Sequence, residues 1–192
     1  MNGGSMENNF AQYCGGAIHS SYSCVLELKA GEIKNNVTNG RGGGIHINTG
    51  GAITLNEKIT ISGNRANKQK VGTSADVNQT GDSITNIKYE GTDTDFGYGG
   101  GILIDSGTCT VAGATITNNY AEVGGGGIAL TMLNMGEEGL DDLMVIKFTM
   151  TAGTVSNNTT DGNGAGVYIM TNKAENNLKK VFPENATEKN YQ

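Results

Sequence analysis

Two short motifs recur along this chain, and their spacing constrains its fold more than any other feature. One is Gly-Gly-Ala-Ile or a close variant, at Gly15-Gly16-Ala17-Ile18, Gly42-Gly43-Gly44-Ile45, Gly99-Gly100-Gly101-Ile102, Gly125-Gly126-Gly127-Ile128 and Gly164-Ala165-Gly166-Val167. The other comes ahead of each copy and consists of an apolar residue, two variable residues and Asn. Met6, Ile33, Ile61, Ile116 and Val155 hold its apolar position; Asn9, Asn36, Asn64, Asn119 and Asn158 hold its last. Ala or Thr follows each Asn by two positions (Ala11, Thr38, Ala66, Ala121, Thr160). Repetition on this scale marks an architecture in which each unit buries its apolar face only by stacking on its neighbours.

The steps between the Asn residues are 27 (Asn9 to Asn36), 28 (to Asn64), 55 (to Asn119) and 39 (to Asn158). A unit of about 27 residues accounts for the first two. The last is one unit plus an insertion near 132–143. The 55-residue step is one unit plus a long insertion near 68–98, or two units with a degenerate middle one; the insertion is favoured because 68–82 has almost nothing to bury.

Within each unit apolar residues alternate, as one-sided strands require. Ile45 and Ile47, Ile102 and Ile104, Ile128 and Leu130, and Val167 and Ile169 share one strand face. Leu26 and Leu28, Cys109 and Val111, and Phe148 and Met150 share a second, and Ile33, Ile61, Ile116 and Val155 lie on a third. No helical period appears. The pattern predicts an all-β parallel β-helix of about five coils over 1–171, with 172–192 as a C-terminal cap or linker. Coils about 4.8 Å apart turn each class into a core column. The repeated Asn residues, Asn9, Asn36, Asn64, Asn119 and Asn158, are expected to form a structural ladder of side-chain amides.

Composition agrees with this reading and excludes others. Gly at 31 of 192 residues, one Pro and no strict third-position period exclude collagen. Apolar runs of about four residues are far too short for a membrane-spanning helix. A net charge of −6 without a Lys/Arg cluster excludes a nucleic-acid partner. Cys14, Cys24 and Cys109 show no zinc-finger spacing, and an odd count argues against a disulfide framework.

The paired motifs resemble the repeats of chlamydial polymorphic outer-membrane proteins and related bacterial surface proteins, which join Gly-Gly-Ala-Ile to Phe-x-x-Asn. Here Ile, Val or Met replaces each Phe. The resemblance covers the chain to about Met170. It implies a right-handed β-helix and a cell-surface or secreted setting, as part of a longer adhesin or autotransporter passenger. Residues 8–18 (NNFAQYCGGAI) align without a gap to 118–128 (NNYAEVGGGGI), so the chain opens in mid-coil. An uncapped coil exposes strand edges and core, which predicts end-to-end self-association.

Candidate chemistry is sparse. His19 and His46, the only histidines, occupy one outward position a repeat apart. They form a weak candidate surface pair, expected to be exposed, with Leu103, Ala129 and Tyr168 next in their column and no carboxylate beside them; no metal or cofactor is assigned. Thr60 and Ser62, Thr115 and Thr117, and Thr154 and Ser156 form outward rows of the kind seen on ice-binding faces, interrupted by Glu32 and Lys34, although outward strand positions favour Thr in any case. Acidic residues fall mainly in loops: Asp76, Asp82, Glu90, Asp93, Asp95, Glu137, Glu138, Asp141, Asp142 and Asp161. They do not form the close carboxylate pair that glycoside hydrolysis needs. No catalytic residue is therefore expected. The leading expectation is a non-catalytic structural or adhesive segment presenting its loops to a host protein or carbohydrate; the alternatives are part of a carbohydrate-active β-helix enzyme and, less strongly, an ice-binding face.

Overall fold

The computed structural model describes residues 1–67, 78–80, 83–85, 97–132 and 146–171. Most of both insertions and the whole of 172–192 lie outside the described residues. The described chain is a parallel β-helix of five coils built from three sheets. The first sheet holds β3 (Ile18–Ser20), β6 (Ile45–Ile47), β11 (Ile102–Asp105), β14 (Ile128–Met132) and β17 (Val167–Thr171). The second holds β1 (Asn2–Glu7), β4 (Val25–Lys34), β7 (Ala52–Ser62), β12 (Thr108–Thr117) and β15 (Lys147–Ser156). The third has two-residue strands: β2 (Phe10–Ala11), β5 (Val37–Thr38), β8 (Arg65–Ala66), β13 (Tyr120–Ala121) and β16 (Thr159–Thr160). Within these sheets each strand pairs with its counterparts one coil away. Among the described residues, β9 (Asn78–Thr80) and β10 (Ser83–Thr85) alone pair antiparallel.

Register settles how the long step is spanned. Ile45 pairs directly with Ile102, Ile61 with Ile116 and Ala66 with Ala121. No coil is interposed, so the residues between Asn67 and Gly97 are an insertion. The two apolar faces expected on separate short strands belong to one long strand that bends. At the bend Gly31, Gly113 and Gly153 take φ of 124°, 122° and 106°, a region open to Gly and costly for other residues. Pairing slips there, between Leu28 and Ala30 and again between Val111 and Thr115. In the second full coil β7 is 11 residues where β4 has 10. That extra residue, absorbed at the bend, makes the step 28 rather than 27.

The columns meet in the interior. Ile45, Ile102 and Ile128 stack in register, as do Ile53, Cys109 and Phe148, and Ile33, Ile61, Ile116 and Val155. In the middle coils these side chains are fully buried, each Ile worth about 1.5–3 kcal/mol. The columns open towards both ends: Ile18 and Leu26 are half-buried, and Met150 and Ile169 are 43% and 52% exposed.

The repeated Asn holds the spacing. Asn119 Nδ2 donates to Ile61 O and to Asn158 Oδ1, both at 3.0 Å; its Oδ1 accepts from Asn64 N and Nδ2, also at 3.0 Å. An amide has two donor and two acceptor positions, and all four are filled. Asn36 and Asn64 repeat the arrangement, donating to Met6 O and Ile33 O. The apolar residue three places before each Asn thus supplies the carbonyl that the next coil's Asn binds. Asn9 joins through 2.8 and 3.0 Å bonds to Asn36 Oδ1 but is exposed.

The residue before each ladder Asn turns the corner. Asn8, Asn35, Asn118 and Asn157 have φ of 57°, 55°, 57° and 54°, and Gly63 stands in their place at 65°. Asn tolerates this left-handed conformation because its short polar side chain bonds locally. In the Gly runs the second Gly is required by close approach: a Cβ on Gly43 or Gly100 would strike the neighbouring coil's carbonyl oxygen, of Gly100 and Gly126 respectively.

Replacing Asn119 with Ala strands donors and acceptors on both neighbouring coils and should destabilise the fold by about 1–3 kcal/mol in denaturant unfolding. Asn9→Ala, at the solvated end, should cost clearly less; equal costs contradict the ladder. Asn118→Gly should be close to neutral, whereas Asn118→Ala should lose about 1 kcal/mol.

Candidate functional site

The outward face of the first sheet departs from the usual polar exterior of a solenoid. Strand alternation turns His19, His46, Leu103, Ala129 and Tyr168 outwards in one column, in register. Yet His46 is 1% exposed and Leu103 and Ala129 are fully buried. Tyr98, Val123, Tyr168 and Met170 pack around Leu103 and Ala129, with the Tyr98 and Tyr168 rings nearly parallel at 5.9 Å. Both insertions branch from the borders of this sheet, one ahead of β11 and the other after β14.

At the early end of the column lies a polar cluster. The expectation of an exposed pair without a carboxylate fails for His46: its Nε2 is 2.8 Å from Asp105 Oδ2. Asp105 is 4% exposed, also accepts a short hydrogen bond from Thr131 Oγ1, and lies 3.5 Å from Arg41 Nη1. Its carboxylate is thereby satisfied in a place where a bare charge could not stay. His19 is exposed, and its Nδ1 is 3.0 Å from His46 Nδ1. The ring planes differ by 21° and the centroids are 5.0 Å apart. With the nitrogens so much closer than the centroids, the rings meet edge to edge and their in-plane Nδ1 positions face one another. Half-buried Cys14 completes the group; its sulfur and one nitrogen from each His lie within 4.8 Å of one another.

Topology explains how residues so far apart meet. Cys14 and His19 flank the Gly15-Gly16 turn of one coil, His46 is the counterpart of His19 on the next coil, and Asp105 lies diagonal to His46 at the end of β11. Zinc-type spacing along the chain was absent because here the coil period brings the groups together. Asp105 escaped notice because reading only the column above His46 finds Leu103; the diagonal position, within reach of a long side chain, was the signal available.

Electrostatics divide the two histidines. Burial opposes charge on His46, but hydrogen bonding to Asp105 and Cys14 and their charges outweigh it and raise its pKa to about 9. Burial, then the His46 charge, lower the pKa of His19 below 6.5 against a smaller opposing pull from Asp105. The geometry matches this division: an imidazolium at His46 donates Nε2–H to Asp105 and Nδ1–H to a neutral His19.

The other candidates separate from this cluster. Thr60, Thr115 and Thr154 align, as do Ser62, Thr117 and Ser156, but the rows end at Glu32 and Lys34. Lys34 Nζ pairs there with Glu32 and Glu7 at 2.9 and 3.0 Å. Asp161 accepts from Tyr120 Oη at 2.7 Å, and Arg65 lies over the Tyr120 ring. Burial, then Asp161, push the Tyr120 hydroxyl up to about 12. Burial likewise pushes the Cys109 thiol to about 12, which fits a core side chain. Asp76, Asp82, Glu90, Asp93, Asp95, Glu137, Glu138, Asp141 and Asp142 lie outside the described residues.

A His whose folded pKa is raised stabilises the fold fully below its unfolded value and loses that contribution as pH rises through the folded value. For His46 the window runs from about 6.5 to about 9. The unfolding midpoint relative to His46→Gln should therefore fall across this window in chelator-treated buffer. Imidazole nitrogen NMR should show His46 titrating near pH 9 and His19 below 6.5; His46 titrating at or below 6.5 overturns the arrangement.

Among the described residues no helix is long and apolar enough to cross a membrane. No curated protein and no solved structure gives a significant match to this chain. Residues 3–21, which carry the first copy of both motifs together with Cys14 and His19, match the Chlamydia polymorphic membrane protein repeat, a family of bacterial surface proteins.

Proposed function

We propose that this chain is a non-catalytic, adhesive β-helix segment of a bacterial surface protein, displaying its insertions to a host protein or carbohydrate. The observation that carries this reading is the branching of both insertions from the borders of one sheet in a stack otherwise closed by the Asn ladder. A scaffold fixed at its three inner coils by fully satisfied amides is a rigid base for attached segments, which favours binding through loops. The match of residues 3–21 to a repeat of surface proteins supports the setting.

The test compares the full chain with variants in which 68–96 or 133–145 is replaced by a short Gly/Ser linker. The full chain should bind a glycan array or intact host cells saturably. At least one linker variant should lose that binding at unchanged melting temperature. No binding by the full chain, or equal binding by both variants, removes the adhesive reading; release of reducing ends from a bound glycan removes the non-catalytic one.

A further inference from the structure

We propose that Cys14, His19 and His46 bind a zinc-class divalent metal ion on the outer face of the first sheet, with Asp105 orienting His46. The three ligand atoms already lie within 4.8 Å of one another. Tetrahedral zinc takes Cys sulfur at about 2.3 Å and His nitrogen at about 2.0–2.1 Å, which sets ligand atoms about 3.3–3.6 Å apart. The Nδ1 atoms, at 3.0 Å, need to open by only a few tenths of an ångström, and rotation of the half-buried Cys14 closes the remainder.

Three features distinguish this cluster from a chance grouping. The 3.0 Å contact aims both Nδ1 atoms at one point, held by a shared proton in the metal-free chain and open to a metal ion that displaces it. The Asp105 contact to Nε2 fixes the His46 tautomer that leaves Nδ1 free for coordination, the outer-shell arrangement that metal-bound His residues commonly have. Asp105 is in turn held by Thr131 and Arg41, so the orienting group is rigid. A thiolate with two imidazoles suits zinc rather than magnesium or calcium, and three protein ligands leave a fourth position for water or an outside group. His19, exposed, keeps that position open to solvent.

The site occurs once in the described stack. In the second coil Arg41 pairs with Cys14 and points its charge at Asp105; from the third coil onward the His column continues as Leu103, Ala129 and Tyr168. Cys24 and Cys109 join no comparable group among the described residues.

Zinc and cobalt titrations of the untagged, reduced full chain at about pH 8 test the proposal, since coordination needs a deprotonated thiol. One metal per chain is expected, with cobalt giving a thiolate charge-transfer band and the visible bands of a tetrahedral site. Cys14→Ser should abolish the charge-transfer band. Asp105→Asn should weaken zinc binding about 10–100-fold, and His19→Ala at least as much. Cys24→Ser should change neither. No saturable zinc binding by the full chain, or a cobalt spectrum that survives both Cys14→Ser and His19→Ala, overturns the proposal. Should Cys14→Ser fail to fold, alkylation of the unmodified chain decides: zinc should slow iodoacetamide labelling of Cys14, located by mass spectrometry, and equal rates with and without zinc overturn it.

Discussion

A buried amide with no spare hydrogen-bonding capacity fixes the distance between coils, and the rest of the structure follows from that distance. Each inner ladder Asn must find an Oδ1 on the coil after it and a carbonyl on the coil before it. This requires the coils to be equal in path and aligned at one corner. The neighbouring motif positions serve that end: the apolar residue three places earlier supplies the carbonyl and fills the core, and the left-handed Asn or Gly turns the corner. The Gly runs let backbones approach where a side chain would keep the coils apart.

Much of this was legible because the period is carried by chemistry that cannot vary. The Asn steps gave the coil size, and alternation gave the inward faces of Ile45, Ile102 and Ile128. Other features were illegible for physical reasons. The faces of Leu28 and Ile33 were expected on separate strands, yet Gly31, Gly113 and Gly153 bend one strand that continues pairing on both sides. Two-residue strands such as Val37–Thr38 are too short to show alternation. Asn118 stood as a variable position of the motif, yet it turns the corner ahead of the rung at Asn119. The polar cluster was half visible: repeat position aligned His19 with His46, but Asp105 and Cys14 approach from a diagonal and from across a turn.

The stack also carries two layers of burial where a simple solenoid needs one. Inside the coils the columns are aliphatic; outside the first sheet a second set of residues is withdrawn from water. That outer layer changes character along the axis, from the charged group around Asp105 to the aromatic group around Tyr98 and Tyr168. A charge placed where Leu103 stands would have no partner, and a Leu placed at His46 would leave Asp105 without its imidazole donor. The face is therefore specified coil by coil, unlike the interior, where one aliphatic side chain can replace another of similar volume.

The ladder has a direction. From rung to rung the amide bonds run one way, the Nδ2 of each Asn donating to the Oδ1 of the Asn on the following coil. The stack is in this respect a vector. A row of such amides can be extended only by a unit pointing the same way; turned around, oxygen would meet oxygen or nitrogen would meet nitrogen. The two ends are complementary to each other and neither is complementary to itself, so the row sets a fixed polarity for any further coil laid on it.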